Sequence, residues 1–271
     1  MSQAANLDLD EIAAAVTANP RYMDISPELV QRIARQEAAK HSSFKDVVKN
    51  TRAKLHQVGG AYLAQEPPYE RWLQQAQEAG LPGNSEALQQ HCLQWMGQHA
   101  STRERLPILG QLYTAIFAEL PPVHSVLDIA CGLNPLAIPW MPLTSEDSYV
   151  AFDIYGRMVD FLNQLFAPGP LQFHAERRDV LGDLPYPQVD LALVLKTLPC
   201  LEQVDKQIAP RLLEAIPAAH LAVSFPVRSL GGRSKGMPEH YSQHFEALAR
   251  QHAWQIRRLD LPGELVYLVE K

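Results

Sequence analysis

Cysteine is scarce in this chain. Cys92, Cys131 and Cys200 stand too far apart for a disulfide framework and none belongs to a C-x-x-C pair, which points to a reducing compartment. No apolar run approaches the roughly 18 residues of a membrane span, and Asp8, Asp10 and Glu11 lie where a secretory leader carries positive charge and then an apolar core. These absences set the expectation of a soluble, cytoplasmic chain that does not engage a membrane. The phosphate loop G-x-x-x-x-G-K-[ST] is missing, as are a G-x-S-x-G elbow around Ser224 and the G-x-G-x-x-G of dinucleotide sheets. A global positive field is missing too: 30 acidic against 24 basic residues give a net charge of −6, so contact with nucleic acid has to come from local patches. His91, Cys92 and His99 lack a fourth ligand at a zinc spacing, and packing or solvated roles suit them better than a metal.

What remains is an ordinary globular composition, 46% hydrophobic and 20% charged over 271 residues, enough for one large or two modest domains. The first hundred or so residues read as helical. Leu9, Ile12, Ala13 and Val16 recur at helical spacing, and so do Leu29, Val30 and Ile33 after the Ser26-Pro27-Glu28 start signal. Residues 45–63 read as another helix stopped by Gly59-Gly60, and looser helical pattern follows through Trp72 and Leu88. After Pro121-Pro122 the grammar becomes short β-branched runs separated by helical segments: SVLDIA, YVAFDI, LALVL, HLAVSF and ELVYLV. This alternation predicts βαβ units around a parallel sheet. The runs WQIRRLDL and ELVYLVE are joined only by Pro262-Gly263, too short for a crossover, so they are expected to pair antiparallel. The fold class is therefore α/β: an all-α N-terminal domain over 1–108, then over 109–271 a Rossmann-like, mostly parallel sheet with an antiparallel C-terminal hairpin. Sheets that bind S-adenosylmethionine usually close in this way, which is an analogy of fold.

Chemistry in such a sheet sits at the carboxyl ends of the strands. SVLDIA runs into Cys131-Gly132-Leu133-Asn134-Pro135, with a single glycine where a ligand is to approach the backbone, so a cofactor bound without a pyrophosphate cradle fits better than a dinucleotide. Asp153 ends the second strand, placed to accept hydrogen bonds from a ribose diol, and Asp179 follows the third, placed to accept from an exocyclic amine. Taken singly, each is equally a solvated strand-end carboxylate. Lys196 closes the next strand and either faces the crevice or snorkels to water. The segment 227–237 brings Arg228, Arg233 and Lys235 without an acid, a composition suited to phosphate or to solvent. Lys45, Lys49 and Arg52, with Lys54 and His56 nearby, line a helical face that either meets a nucleic-acid backbone or is merely hydrated. Trp72, Trp95 and Trp254 are expected in the core.

On KLHQVGGAYL (54–63), HASTRERL (99–106), DIACGLNPLA (128–137), LKTLPCLE (195–202) and SFPVRSLGGRSKGM (224–237), the chain closely resembles the aminoglycoside-resistance 16S rRNA methyltransferases that modify a guanine N7 in the decoding site. The resemblance implies a helical domain that docks on the assembled small (30S) subunit and a methyltransferase domain that uses S-adenosyl-L-methionine, with rRNA and no DNA as partner. It assigns Arg105 to the cofactor's methionine carboxylate, Gly132 to the floor beneath that moiety, Asp153 to the ribose, and Asp179 with Val180 to the adenine. Ala130, Ile154 and Leu195 complete the implied cofactor pocket. Lys196 and Arg228 would position the target base without acting as a general base, and Arg233, Lys235, Lys49, Arg52 and Lys54 would face the RNA. Thr197 and Cys200 stand where leucine is usual in this family, and Val227 where threonine is. Two other readings stay open: a methyltransferase for a small molecule or protein, and a non-catalytic RNA-binding factor on the same fold.

Overall fold

The computed structural model describes residues 7–63, 65–83, 85–182, 185–227 and 237–271. Helices come first: α1 (Leu9–Thr17), α2 (Pro27–Ala38), α3 (Phe44–Leu55), α4 (Tyr69–Glu78), α5 (Ser85–Met96), α6 (Ala100–Arg105) and α7 (Leu109–Ala118). Their starts are encoded locally. Asp8, Ser26 and Ser43 cap α1, α2 and α3 by accepting backbone N–H bonds from the first turn, and Pro27 opens α2 where its missing N–H has no cost. Instead of stopping at Gly59-Gly60, α3 widens into a π turn over His56–Gly60. Glycine is needed there because a Cβ on Gly59 would lie 2.9 Å from the Tyr155 hydroxyl.

The sheet follows: β1 (Ser125–Ile129), β2 (Ser148–Asp153), α8 (Gly156–Phe166), β3 (Gln172–Arg177), β4 (Val189–Leu195), α9 (Leu198–Leu201), α10 (Ile208–Ala215), β5 (Ala218–Pro226), α11 (Met237–Gln251), β6 (Gln255–Leu261) and β7 (Glu264–Glu270). Among the described residues it has seven strands in the order β3-β2-β1-β4-β5-β7-β6. The pairs from β3 through β5 are parallel, and β7 runs antiparallel to both neighbours. The short Pro262-Gly263 link, with Gly263 at φ +89°, makes the hairpin as anticipated. Being interior, β7 is apolar and buried along almost its whole length, whereas no residue of the edge strand β6 is fully buried and its adjacent Arg257 and Arg258 are both exposed.

The helical portion clasps both faces of the sheet. Ile12, Val16, Leu29, Val30 and Ile33 pack with Leu127, Ile129, Ala192 and Val194 on one face. On the other, Tyr69, Trp72 and Trp95 join Phe161, Tyr149, Leu191 and Leu193. Odd and even strand positions thus serve different clusters, the period-two rule of a pleated sheet. Trp72 and Trp95 are core residues and stack on each other, and Trp254 packs half-buried against the first face. The two cores run across residue 108, so the change from helices to strands divides the secondary structure and not the packing. No helix among the described residues is long and apolar enough to cross a membrane.

Candidate functional site

Strand order reverses between β1 and β4, and a cleft opens at that switch point over the carboxyl ends of β1, β2 and β4 and the loop after β3. Arg105, Ala130, Gly132, Asp153, Ile154, Asp179, Val180 and Leu195 all line it, as does Lys196. The chain reaches this arrangement through left-handed backbone at three rim positions: Ala130 (φ 51°), Gly132 (φ 53°) and Lys196 (φ 59°). For Ala130 and Lys196 that conformation costs about 1–2 kcal/mol each, strain of the kind that accumulates at functional sites.

One end of the cleft is acidic. The Asp153 carboxylate accepts from the Gly132 N–H at 2.8 Å on one oxygen and from the Ile154 and Tyr155 N–H groups at 2.7 and 3.2 Å on the other. Burial pushes its carboxyl up to about 6, against the pull of those three donors. Asp179 accepts from the Leu181 N–H at 3.0 Å and from Arg32 Nε at 2.7 Å, a cation that α2 brings from 147 residues away. Ile154, Val180, Leu181 and Leu195 supply apolar wall between them. Two buried carboxylates with unused lone pairs flanking an apolar slot suit a planar base carrying an amine and a sugar carrying hydroxyls.

The other end is a network of opposite charges. Arg105 is 1% exposed. Its Nε and Nη2 donate to the Glu264 carboxylate at 3.0 and 2.8 Å, and its Nη1 donates to Asn134 Oδ1 at 2.8 Å. A guanidinium has five N–H groups, so an N–H on each terminal nitrogen remains for an anion. Burial alone lowers an arginine's pKa, but Glu264 more than compensates and keeps Arg105 charged. Asn134 also accepts from the Tyr113 hydroxyl at 2.6 Å and donates to Asp128 at 2.9 Å, and Tyr149 donates to the same Asp128 oxygen at 2.7 Å. Burial raises the Asp128 carboxyl to about 6. Lys196 is anchored by its own N–H on Ser224, and its Nζ lies 3.0 Å from Glu104 and 3.3 Å from Glu264. It faces the cleft as one of the two sequence readings had it, yet its side chain is only 5% exposed and paired.

Between the ends sits His99, which sequence reasoning assigned to packing or solvent. Its ring stacks on Tyr62 at 5.8 Å, and a Cβ on Gly132 would come within 2.8 Å of it. Burial, with Arg105 and Arg103 nearby, drives its pKa down to about 3, so the ring is neutral, and its buried Nδ1 has no hydrogen-bond partner among the described residues. Glu264, Asn134, Glu104 and Arg32 were likewise missed; a carboxylate opening the hairpin after Pro262-Gly263 was the one hint available for Glu264.

The helical cations do not gather at the cleft. Lys49 is exposed on α3. Arg52 donates to the Ala15 and Val16 carbonyls at the C-terminal end of α1, which has no basic residue in its own last turn, and Lys54 Nζ donates to the Gln203 carbonyl at 3.0 Å. The shared basic face expected of this segment is thus partly consumed by contacts within the chain. Arg228, Arg233 and Lys235 lie outside the described residues.

The family described as ribosomal RNA methyltransferase (FmrO) matches residues 18–268. A 16S rRNA (guanine(1405)-N(7))-methyltransferase of Micromonospora echinospora is 38% identical over 265 residues, 97% of each chain. Among solved structures, the 16S rRNA methyltransferase RmtF in complex with S-adenosyl-L-homocysteine is similar over 100% of this chain and 99% of its own, with TM-score 0.83 and 30% identity. The 16S rRNA methylase RmtB is similar over 97% of this chain and 98% of its own, with TM-score 0.76 and 29% identity.

Proposed function

The chain belongs to the ribosomal RNA methyltransferase (FmrO) family, and from that premise we propose that it transfers a methyl group from S-adenosyl-L-methionine to guanine N7, at the position numbered 1405 in its relatives' names, within 16S rRNA of the assembled 30S subunit. Such a modification in the decoding site would confer aminoglycoside resistance. The observation that carries the reading is the cleft: acids at one end, a carboxylate-seeking arginine at the other, and a lysine at the rim.

The residues fit the cofactor. Asp153 suits the ribose hydroxyls, Asp179 and the Val180 backbone suit the adenine, and the free N–H pair of Arg105 suits the methionine carboxylate. Gly132 and Ala130 belong to the loop that would hold the amino-acid part, and Ile154 and Leu195 line the walls. Bound there, S-adenosylmethionine supplies a methyl group on a positively charged sulfur, open to in-line displacement by an unshared pair.

Guanine N7 already carries such a pair at neutral pH, so no side chain has to remove a proton. His99, held neutral, and the buried acids are not needed as bases. The protein's work is positioning, which supplies about 7–11 kcal/mol in well-oriented reactions. N7 faces the deep major groove of A-form RNA, so the base must be splayed from its stack, at a cost of a few kcal/mol. Lys196 and Arg228 hold the extruded nucleotide, while Arg233, Lys235 and the exposed Lys49 contact phosphate. Arg52 and Lys54 assist only by shaping the docking face that residues 1–108 present, since their charges are engaged within the chain.

The test is to supply labelled S-adenosylmethionine with intact 30S subunits and with naked 16S rRNA, then map the modified base. Label at guanine N7 of the decoding site in the subunits supports the reading. Label on neither substrate, with no calorimetric heat for S-adenosylhomocysteine, overturns it.

A further inference from the structure

Glu264 is a buried carboxylate for which the reading above has no task. It opens β7 and is 1% exposed. Donors reach it from three separate elements: Arg105 Nε at 3.0 Å and Nη2 at 2.8 Å, Ser224 Oγ at 2.6 Å, and Lys196 Nζ at 3.3 Å. Burial opposes its charge, yet the two cations outweigh burial and hold its carboxyl below the ordinary range. One negative charge therefore stands between the cation at the amino-acid end of the cleft and the cation at its rim.

Stability does not account for this choice. A buried ion cluster can often be replaced by apolar groups of similar volume with no loss of stability. What apolar groups cannot do is fix the plane of a guanidinium. Two bonds along one edge of Arg105, with Asn134 at Nη1, fix the planar fork in a single orientation and leave one N–H on each terminal nitrogen without a partner among the described residues. Lys196 has a second acid in Glu104, but that side chain is 37% exposed and open to competition from water; Glu264 is the dry partner.

We propose that Glu264 is a positioning residue of the methyl-transfer site: it presents the outer edge of Arg105 to the carboxylate of the methyl donor and fixes Lys196 beside the target base. This rests on the methyltransferase reading and adds to it a single carboxylate that couples the two substrate sites. Glu264 touches neither substrate; it acts through Arg105 and Lys196.

The experiment uses Glu264→Gln in the full chain, which keeps the size of the side chain and removes its charge. Binding is measured by calorimetry with two probes, S-adenosylhomocysteine and 5′-methylthioadenosine, the second sharing the adenosine and thioether but lacking the amino acid. The expected result is at least a tenfold loss of affinity for the first and less than twofold for the second, together with a fall in kcat on 30S subunits at unchanged KM for subunits. Equal losses for both probes indicate general damage and overturn the proposal, as does an unchanged ratio of affinities. Because the glutamine leaves two buried cations short of one charge, Ser224→Ala provides a gentler second variant, removing the hydroxyl that orients the Glu264 carboxylate. It is expected to lose about threefold for S-adenosylhomocysteine and nothing for 5′-methylthioadenosine, and an unaltered ratio there again counts against the proposal. A wild-type chain that binds neither probe would sink the methyltransferase reading itself, which keeps the two failures apart.

Discussion

At one end of the cleft Asp153 is held by backbone N–H groups of its own and a neighbouring loop, whereas at the other end Arg105, Lys196 and Glu264 are held chiefly by one another. Backbone donors are fixed by the path of the chain, so the acidic end keeps its shape when a single side chain changes. Mutually paired side chains have no such guarantee, and removing one strands the rest in a low-dielectric interior. The acidic end, to which the proposed function assigns the adenosine, is therefore expected to tolerate substitution better than the end built on Arg105, Lys196 and Glu264. That contrast suits the chemistry, because binding an adenosine asks for a stable surface and displacement at a methyl carbon asks for alignment.

The sharpest way to break the contrast is Arg105→Ala. Glu264 and Asn134 lose their cation at once, and stability is expected to fall by about 3–5 kcal/mol, with more than a hundredfold loss of S-adenosylhomocysteine affinity. Thermal melting and calorimetry on the same samples check both. Should the variant melt like the wild type, the reactive end is not interdependent as described.

Asp153→Asn attacks the tolerant end. Its size survives, but the single amide oxygen can accept from only one side, leaving the Gly132 N–H or the Ile154 and Tyr155 N–H groups unpaired. Stability in thermal melting is expected to fall by about 1–3 kcal/mol, less than for Arg105→Ala, while affinity for S-adenosylhomocysteine drops by roughly tenfold through the loss of about 1.5 kcal/mol of charge-assisted hydrogen bonding. The pH dependence sharpens the point. With its carboxyl raised from 3.8 to about 6 in the folded chain, Asp153 is ionised, and able to accept both ribose bonds, only above that value. Wild-type affinity is expected to climb as pH rises through about 6, and the Asn variant to show a flatter profile. Stability runs the opposite way: a raised carboxyl favours the folded chain below the ordinary carboxylate range, and this contribution is lost as pH rises toward 6. Asp128, raised in the same direction, leaves part of that slope in the variant.

Smaller effects separate the two basic residues of α3. Arg52→Ala removes the donor at the α1 C-terminus and is expected to cost about 1 kcal/mol in denaturant titration without altering cofactor affinity. Lys49→Ala is expected to leave stability unchanged, weaken 30S binding, and reduce the slope of log affinity against log salt by about 1. If the two behave alike, the assignment of Arg52 to the helix end is mistaken.

The acidic end could be read from the sequence because its logic is local. Gly132 follows β1 and Asp153 ends β2, 21 residues apart at the carboxyl ends of two adjacent parallel strands, a placement general to such sheets. The reactive end was half legible. Arg105 and Lys196 sit in distinctive motifs, but Glu264 meets Arg105 across 159 residues, and even at the acidic end one partner was hidden, since Arg32 meets Asp179 across 147. Only the insertion of β7 beside β5 and the docking of α2 on the sheet create those pairs, and neither leaves a periodic trace in the sequence. Charge at helical spacing told where Arg52 and Lys54 sit on α3 but not that carbonyls of other segments wait beside them. The Gly59-Gly60 pair was equally ambiguous, since glycine marks a helix end and a close approach by another side chain with the same letter.

In the sheet β7 lies between β5 and β6, but in the chain it follows both. A nascent polypeptide leaving the exit tunnel therefore carries Arg105 and Lys196 for some time before the carboxylate that makes their burial tolerable has been synthesised. The charge network around Arg105 and Lys196 is complete only when that strand is in place. A product of stalled translation that ends before Glu264 is expected to be inert and an easy target for quality-control proteases, so that half-made copies neither sequester the methyl donor nor occupy subunits they are unable to modify.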